Sequence, residues 1–228
     1  MATRLKRLID DGYAPDLLEG ALFDGELEIP VVRDTRNLTP PRFLRPFSKR
    51  GSTRMDDEYI CFYEHDFRFR KVLAHASTCL EQISRKFSGI VSPDCSLYRD
   101  MPLVLQIMNT YLNRAVGHYF QKNGMNVIPN VRWGDRRSYL GTDRIEPFAF
   151  LGVERGSVVS IGTYGCISSD EDRSFFREGL HAMLDAISPR MVLVYGRMPG
   201  EIFRGDIVER TQFVRYDDWT ALKKKGGV

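Results

Sequence analysis

Ser157-Val158-Val159-Ser160-Ile161-Gly162-Thr163 and Met191-Val192-Leu193-Val194-Tyr195 are two short apolar runs with one amphipathic segment between them. That segment begins at Ser168-Ser169-Asp170-Glu171-Asp172, a pair of N-cap residues followed by three acids that suit the positive end of a helix. Phe176, Leu180, Met183, Leu184 and Ile187 then fall on one helical face, and Ser188-Pro189 closes it. Strand, helix, strand in this order predicts a βαβ unit with parallel strands. The near-continuous apolar run at Met191–Tyr195 suits a strand covered on both faces.

The same alternation extends towards the N-terminus. Ile60–Tyr63, Gly89–Val91 and Val127–Trp133 read as strands, with weaker additions at Ile29–Val32 and Gln212–Arg215. A helix is expected from Phe69 to Ile83, on the spacing of Phe69, Val72, Leu73, Ala76, Leu80 and Ile83. A second is expected after Pro102, with Val104, Met108, Tyr111, Leu112, Ala115 and Tyr119 inward and Lys122-Asn123-Gly124 as its stop. Pro129 inside a strand implies an edge or a bulge there. The fold class is therefore α/β, repeated βα units on a mainly parallel sheet. It is either an open sheet or a shortened, irregular (β/α) barrel.

The 228 residues suffice for one full domain with an extension. With 43% hydrophobic and 11% aromatic residues the chain is not mostly disordered. No window approaches a membrane-spanning length, and Met1 to Asp11 turns acidic before a signal-peptide core forms. A cytoplasmic protein with no membrane partner is expected. Cys61, Cys79, Cys95 and Cys166 contain no C-x-x-C pair, which fits reduced structural thiols in the same compartment.

The net charge of +3 is unevenly spread. Arg33, Arg36, Arg42, Arg45, Lys49, Arg50 and Arg54 face a single acid, Asp34, so this stretch carries +6 and the remainder −3. Pro40, Pro41, Pro46 and Gly51 interrupt it, and it reads as an irregular basic arm. The expected division is an N-terminal extension and arm over 1–54 and one α/β domain over 55–228.

Parallel α/β sheets place ligands at the carboxyl ends of their strands. Those ends carry Glu64-His65-Asp66, the Ser92–Asp100 loop, Arg132-Trp133-Gly134-Asp135, Thr163-Tyr164-Gly165-Cys166 and Tyr195-Gly196-Arg197. Asp94, Asp135, Asp66 and His65 are the candidate catalytic residues, because paired carboxylates serve as general acid and base. The same oxygens suit Mg²⁺ or Mn²⁺, so either ion is a candidate cofactor. Tyr98, Arg99, Asn130, Arg132, Trp133 and Tyr195 are the candidate ligand-binding residues. The arginines, Arg197 included, point to a small phosphate-bearing or nucleotide-like ligand. Ordinary structural roles compete at each position: Asp66 and Asp100 as helix caps, Asp94 in an Asx-turn, Asp135 in a turn beside an arginine. The dinucleotide, Walker and zincin motifs are absent from the sequence. The alternative function is non-enzymatic: Arg42, Arg45, Lys49 and Arg50, interleaved with Phe43 and Phe47, track a nucleic-acid backbone or dock a host protein.

Several runs also resemble a known family. They are Phe87 to Pro102 (FSGIVSPDCSLYRDMP), Gln106, Asn109-Thr110-Tyr111-Leu112-Asn113-Arg114, Val127-Ile128-Pro129-Asn130-Val131-Arg132-Trp133, Val194-Tyr195-Gly196, and Glu64 to Phe69. Together they are similar, over roughly 59–199, to a bacterial and phage family catalogued as domain of unknown function number four-four-one-seven. The resemblance implies a phage or mobile-element origin and carries no activity, so whether the chain is an enzyme stays open. The family pattern has an aromatic residue at Cys95, which argues against a role for that thiol.

Overall fold

The computed structural model describes residues 14–35, 38–51 and 55–226. Seven parallel strands form the frame: β3 (Phe43–Pro46), β4 (Met55–Cys61), β5 (Phe87–Val91), β6 (Asn126–Ile128), β7 (Val158–Gly162), β8 (Met191–Tyr195) and β9 (Gln212–Tyr216). They stand in sequence order as two ladders, β3-β4-β5-β6 and β7-β8-β9. Ahead of them, β1 (Phe23–Asp24) and β2 (Ile29–Pro30) form a small antiparallel hairpin. The run at Ile29–Val32 is thus outside the parallel ladders.

The two ladders are joined at one point. Ser160 N donates to Pro129 O at 2.9 Å and Val131 N to Ser160 O at 2.8 Å, around the pair Asn130 and Ser160. β6 ends at Ile128, short of the expected Trp133, because Pro129 has no N–H with which to continue a ladder.

The helices are α1 (Pro15–Leu18), α2 (Arg70–Ala74), α3 (Ala76–Ser84), α4 (Leu103–Lys122), α5 (Arg136–Leu140), α6 (Asp170–Ile187), α7 (Asp206–Glu209) and α8 (Trp219–Lys224). The single helix expected over Phe69–Ile83 is broken at His75, whose φ of −138° and ψ of 53° are not helical. α6 starts as expected. Ser169 and Asp172 form a reciprocal capping box, and Ser188 takes a left-handed turn before Pro189.

Alternate residues of each strand separate three apolar clusters. Ile60, Phe62, Ile90 and Val127 pack against α2, α3 and α4. Val159, Ile161, Val192 and Val194 pack against α6. The opposite faces, Leu44, Tyr59, Cys61, Tyr63, Val91, Ile128, Val158, Leu193, Tyr195 and Tyr216, meet in one cluster. Leu44 and Tyr216 lie on the two outermost strands of the row, so the row curls around this interior. The curl does not close: among the described residues no ladder joins β3 to β9. The result is an irregular, open α/β arrangement.

The basic stretch is only partly irregular. β3 lies within it, and the boundary expected at residue 54 falls between two adjacent strands of one sheet. Phe47 is 2% exposed and packs on Phe62. Arg45 forms a two-point pair with Glu58 and sits over the Trp219 ring. The hydrophobic core thus claims residues that composition alone assigned to solvent.

Candidate functional site

The strand ends meet where the two ladders join. Asp94, just past β5, is 6% exposed and accepts Arg132 Nε at 2.6 Å and Nη2 at 2.7 Å. Asn130 Nδ2 donates to the same carboxylate at 2.8 Å. Tyr63, just past β4, donates to Asn130 Oδ1 at 3.0 Å and lies 2.7 Å from Ser160 Oγ of β7. Gly162 makes room for this ring: a Cβ there would fall 2.6 Å from Tyr63 Cδ1. Tyr195 of β8 stacks on Tyr63 with centroids 4.9 Å apart, and its hydroxyl accepts Trp219 N. Asp94, Asn130, Arg132 and Tyr195, all expected from sequence, therefore belong to one network.

Its electrostatics follow from burial. Loss of water pushes the Asp94 carboxyl above the usual carboxylate range, while the Arg132 fork and the Asn130 amide pull it back. Burial likewise holds the Tyr63 phenol well above its ordinary value. A buried fork of this kind is held in place chiefly by its hydrogen bonds, because desolvation offsets most of the Coulomb gain. Arg132 Nη1 has no oxygen acceptor among the described residues; its contact is Cys166 Sγ at 3.6 Å.

Other expected members sit elsewhere. Asp135 caps α5 through Arg137 N, pairs with the Arg137 guanidinium and accepts Gln106, which holds its carboxyl down at about 2. It shares no partner with Asp94, so the paired acid and base are not assembled. Asp66 accepts Ser96 N at 3.2 Å and Ser96 Oγ at 2.7 Å, tying the β4 loop to the β5 loop. His65 stacks on the exposed Phe67 ring. Among the described residues no group of three or more His, Cys, Asp or Glu side chains is arranged to hold a metal ion. His65, Asp66, Asp94 and Asp135, expected as Mg²⁺ or Mn²⁺ ligands, are not gathered into one such group: Asp66, Asp94 and Asp135 each accept from a different protein donor and His65 is exposed. Arg99 reaches the start of α6, pairing with Glu171 and Asp172 over the Phe175 ring. Trp133 is core, wedged under α6 beside Phe176. Tyr98 is exposed.

The residues of the basic arm are partly engaged within the protein, and Lys49 is exposed. Arg42 pairs with Asp57, Arg45 with Glu58, and Arg50 covers Phe47. Phe47 is buried, so it cannot stack on a base. Arg36 and Arg54 lie outside the described residues.

Sequence periodicity missed the polar side of α4. The helix buries Gln106, Thr110, Asn113, Arg114 and Gly117 beside the apolar Ala115, Val116 and Phe120; of the residues expected inward, Ala115 is buried, Tyr111, Leu112 and Tyr119 are partly buried, and Val104 and Met108 are exposed. Arg114 Nη1 donates to Asn113 Oδ1 at 2.6 Å and to Asn130 O at 2.7 Å, and Nε to Leu151 O at 3.0 Å. Asn113 Nδ2 donates to Pro93 O at 2.7 Å, and Ser92 Oγ to Asn113 Oδ1 at 2.8 Å. Burial lowers the Arg114 guanidinium to about 10, which leaves it charged at neutral pH. The signal was present: the polar residues Gln106, Thr110, Asn113 and Arg114 recur at helical spacing in an otherwise largely apolar helix.

Fold and network define an irregular α/β protein whose strand ends carry a buried polar centre. The chain belongs to the family described as Domain of unknown function (DUF4417), which it matches over residues 21–217. It is 34% identical to the "Gene 1 protein" of Mycobacterium phage D29 over 137 residues, 60% of this chain and 48% of that one. It is 31% identical to the "Gene 1 protein" of Mycobacterium phage L5 over 174 residues, 75% and 72% of the two chains. The chain thus spans about half the length of the D29 protein. No solved structure gives a significant match. No helix among the described residues is long and apolar enough to cross a membrane.

Proposed function

We propose that the strand-end centre binds a small anionic ligand, phosphate-bearing or nucleotide-like, with Arg132 as its anchor. The observation that carries this is the state of Arg132. Asp94 fixes two of its nitrogens, and the third, Nη1, turns towards the half-buried Cys166 without an oxygen acceptor. A guanidinium held rigid on one side and under-satisfied on the other is preorganised for a planar oxyanion. The exposed Arg197 follows β8, its carbonyl accepting Thr163 Oγ1 at 2.8 Å, and adds a second cation after the strand ends. Binding is favoured over hydrolysis, because Asp94 and Asp135 are both engaged by arginines and neither is free to act as a base. The arm reading is weaker, since Arg45 and Phe47 serve the core.

The test is a melting-temperature screen with inorganic phosphate and nucleoside mono-, di- and triphosphates, paired with the alkylation rate of Cys166. At least one of these should raise the melting temperature by mass action and slow Cys166 modification. A screen in which no compound changes either quantity overturns the reading.

A further inference from the structure

Part of the positive charge concentrated in residues 33–54 joins cations from the α2–α3 helix pair. Phe47–Lys49 form a short turn after β3, and Phe47 is buried while Lys49 is exposed. The Arg50 guanidinium lies 4.0 Å over the Phe47 ring. Phe47 stacks on Phe62 at 5.3 Å, and Phe62 meets Phe69 edge-on at 5.5 Å, directly before α2. This aromatic stack fixes Arg50 beside the helix pair. The buried Cys79 thiol of α3 feels the result: burial raises its pKa, and Arg50 and Lys71 of α2 both pull it back. Past the end of α3, Lys86 Nζ donates to Gly51 O at 3.0 Å.

Residues 47–51 and 70–86 therefore share one surface, and its charge is nearly all of one sign. Six cations, Lys49, Arg50, Arg70, Lys71, Arg85 and Lys86, stand against one acid, Glu81. The surface carries +5 and leaves −2 on the rest of the chain. Asp56 and Asp57 border it at the start of β4, and Asp57 is taken by Arg42. Among the described residues no carboxylate pairs with Lys49, Arg50, Lys71, Arg85 or Lys86; Arg50 and Lys86 donate only to neutral carbonyls. None of the large exposed apolar side chains lies within 47–51 or 70–86. The surface thus lacks the apolar centre of a protein–protein interface and the aromatic platform on which single-stranded bases stack. What it offers is a set of uncompensated point charges, which suits the phosphates of a duplex.

We infer that this surface binds double-stranded nucleic acid through its phosphates, with Lys49, Arg50, Lys71, Arg85 and Lys86 as the contacts. Phosphate contacts position a protein without reading bases, so binding is indifferent to sequence. The opposite sign of the remaining charge orients this face towards the duplex during approach. The inference is independent of Arg132 and of any ligand bound there.

Fluorescence anisotropy of a short labelled DNA duplex, titrated with the full chain over a range of salt, tests this. Five phosphate contacts give a log–log salt slope of about −4, so affinity should fall about a hundredfold or more between about 50 and 200 mM salt. A duplex of unrelated sequence should bind equally well. Lys49→Gln with Lys71→Gln and Arg85→Gln neutralises three exposed positions. The melting temperature should hold, the slope should shrink to about −2, and affinity at low salt should fall about tenfold or more. Should that variant fail to fold, Lys71→Gln alone should remove about one unit of slope. Lys223→Gln with Lys224→Gln, exposed on α8, should change none of these quantities. No binding at low salt, an unchanged slope in the triple variant, or an equal loss in the α8 variant would each overturn the inference. So would polyglutamate, anionic vesicles or a single strand competing as well as the duplex, which would make an acidic protein, a membrane or an unpaired strand the partner.

Discussion

The curled sheet is interrupted twice, and the two interruptions are handled in opposite ways. Between β6 and β7 the ladder fails at Pro129, and the gap is filled by Tyr63, Ser92, Asp94, Asn113, Arg114, Asn130, Arg132 and Ser160. Between β3 and β9 no ladder forms among the described residues, and at this seam the Tyr216 hydroxyl crosses to Pro41 O. The joint lies inside, where unpaired backbone groups are costly, so side chains must replace the missing ladder. Between β3 and β9 the interior side is closed by Leu44 and Tyr216, and the outer side is a surface groove where water satisfies the same groups at little cost. A break in a ladder becomes a polar centre only where water is excluded.

Substitutions can break that contrast. Arg132→Met strands the buried Asp94 carboxylate and should cost about 3–4 kcal/mol in denaturant unfolding. Adding Asp94→Leu should recover much of the loss if the penalty is the orphaned charge. Arg114→Met leaves the carbonyls of Asn130 and Leu151 short of a donor and should cost about 2–3 kcal/mol. Asp135→Asn provides a carboxylate–arginine pair outside the joint. Asp135 has its pKa lowered to about 2, so its contribution is present above the unfolded carboxylate value and is lost as pH falls towards 2. Asparagine keeps the α5 cap, so the variant should lose about 1 kcal/mol at neutral pH, after solvent screening, and show a flatter acid limb. At the seam, Arg42→Gln should change stability by less than about 0.5 kcal/mol. A seam loss equal to that of Arg114→Met would erase the distinction.

The alternation of strands and helices was legible because each parallel strand buries both faces and each helix buries one stripe. The capped start of α6 and the stop after Lys122 were legible because caps are local chemistry. β3 was not legible. Arg42, Arg45, Pro40, Pro41 and Pro46 look like a solvated arm, and only an edge strand tolerates prolines at its ends. The inward face of α4 was misread for a related reason. Hydrophobicity locates a core by its oil, and one side of this helix adds to the apolar cluster while the side carrying Asn113 and Arg114 meets a part of the core made of amides and a guanidinium. The candidate residues Asp94, Asn130, Arg132 and Tyr195 were legible from their position after strands. Asn113 and Arg114, which hold that centre from the helix side, were visible only as part of a family-like run.

By itself the sequence determined the βα order, the parallel sense of the strands, the helix ends and the loops that carry polar chemistry. Those depend on periodicity and capping, which act over a few residues. Tertiary structure decided which carboxylate meets which arginine, that the arm holds a strand, and that the row curls without closing. Those outcomes depend on which groups lose their water, and exclusion of water is a property of the assembled fold.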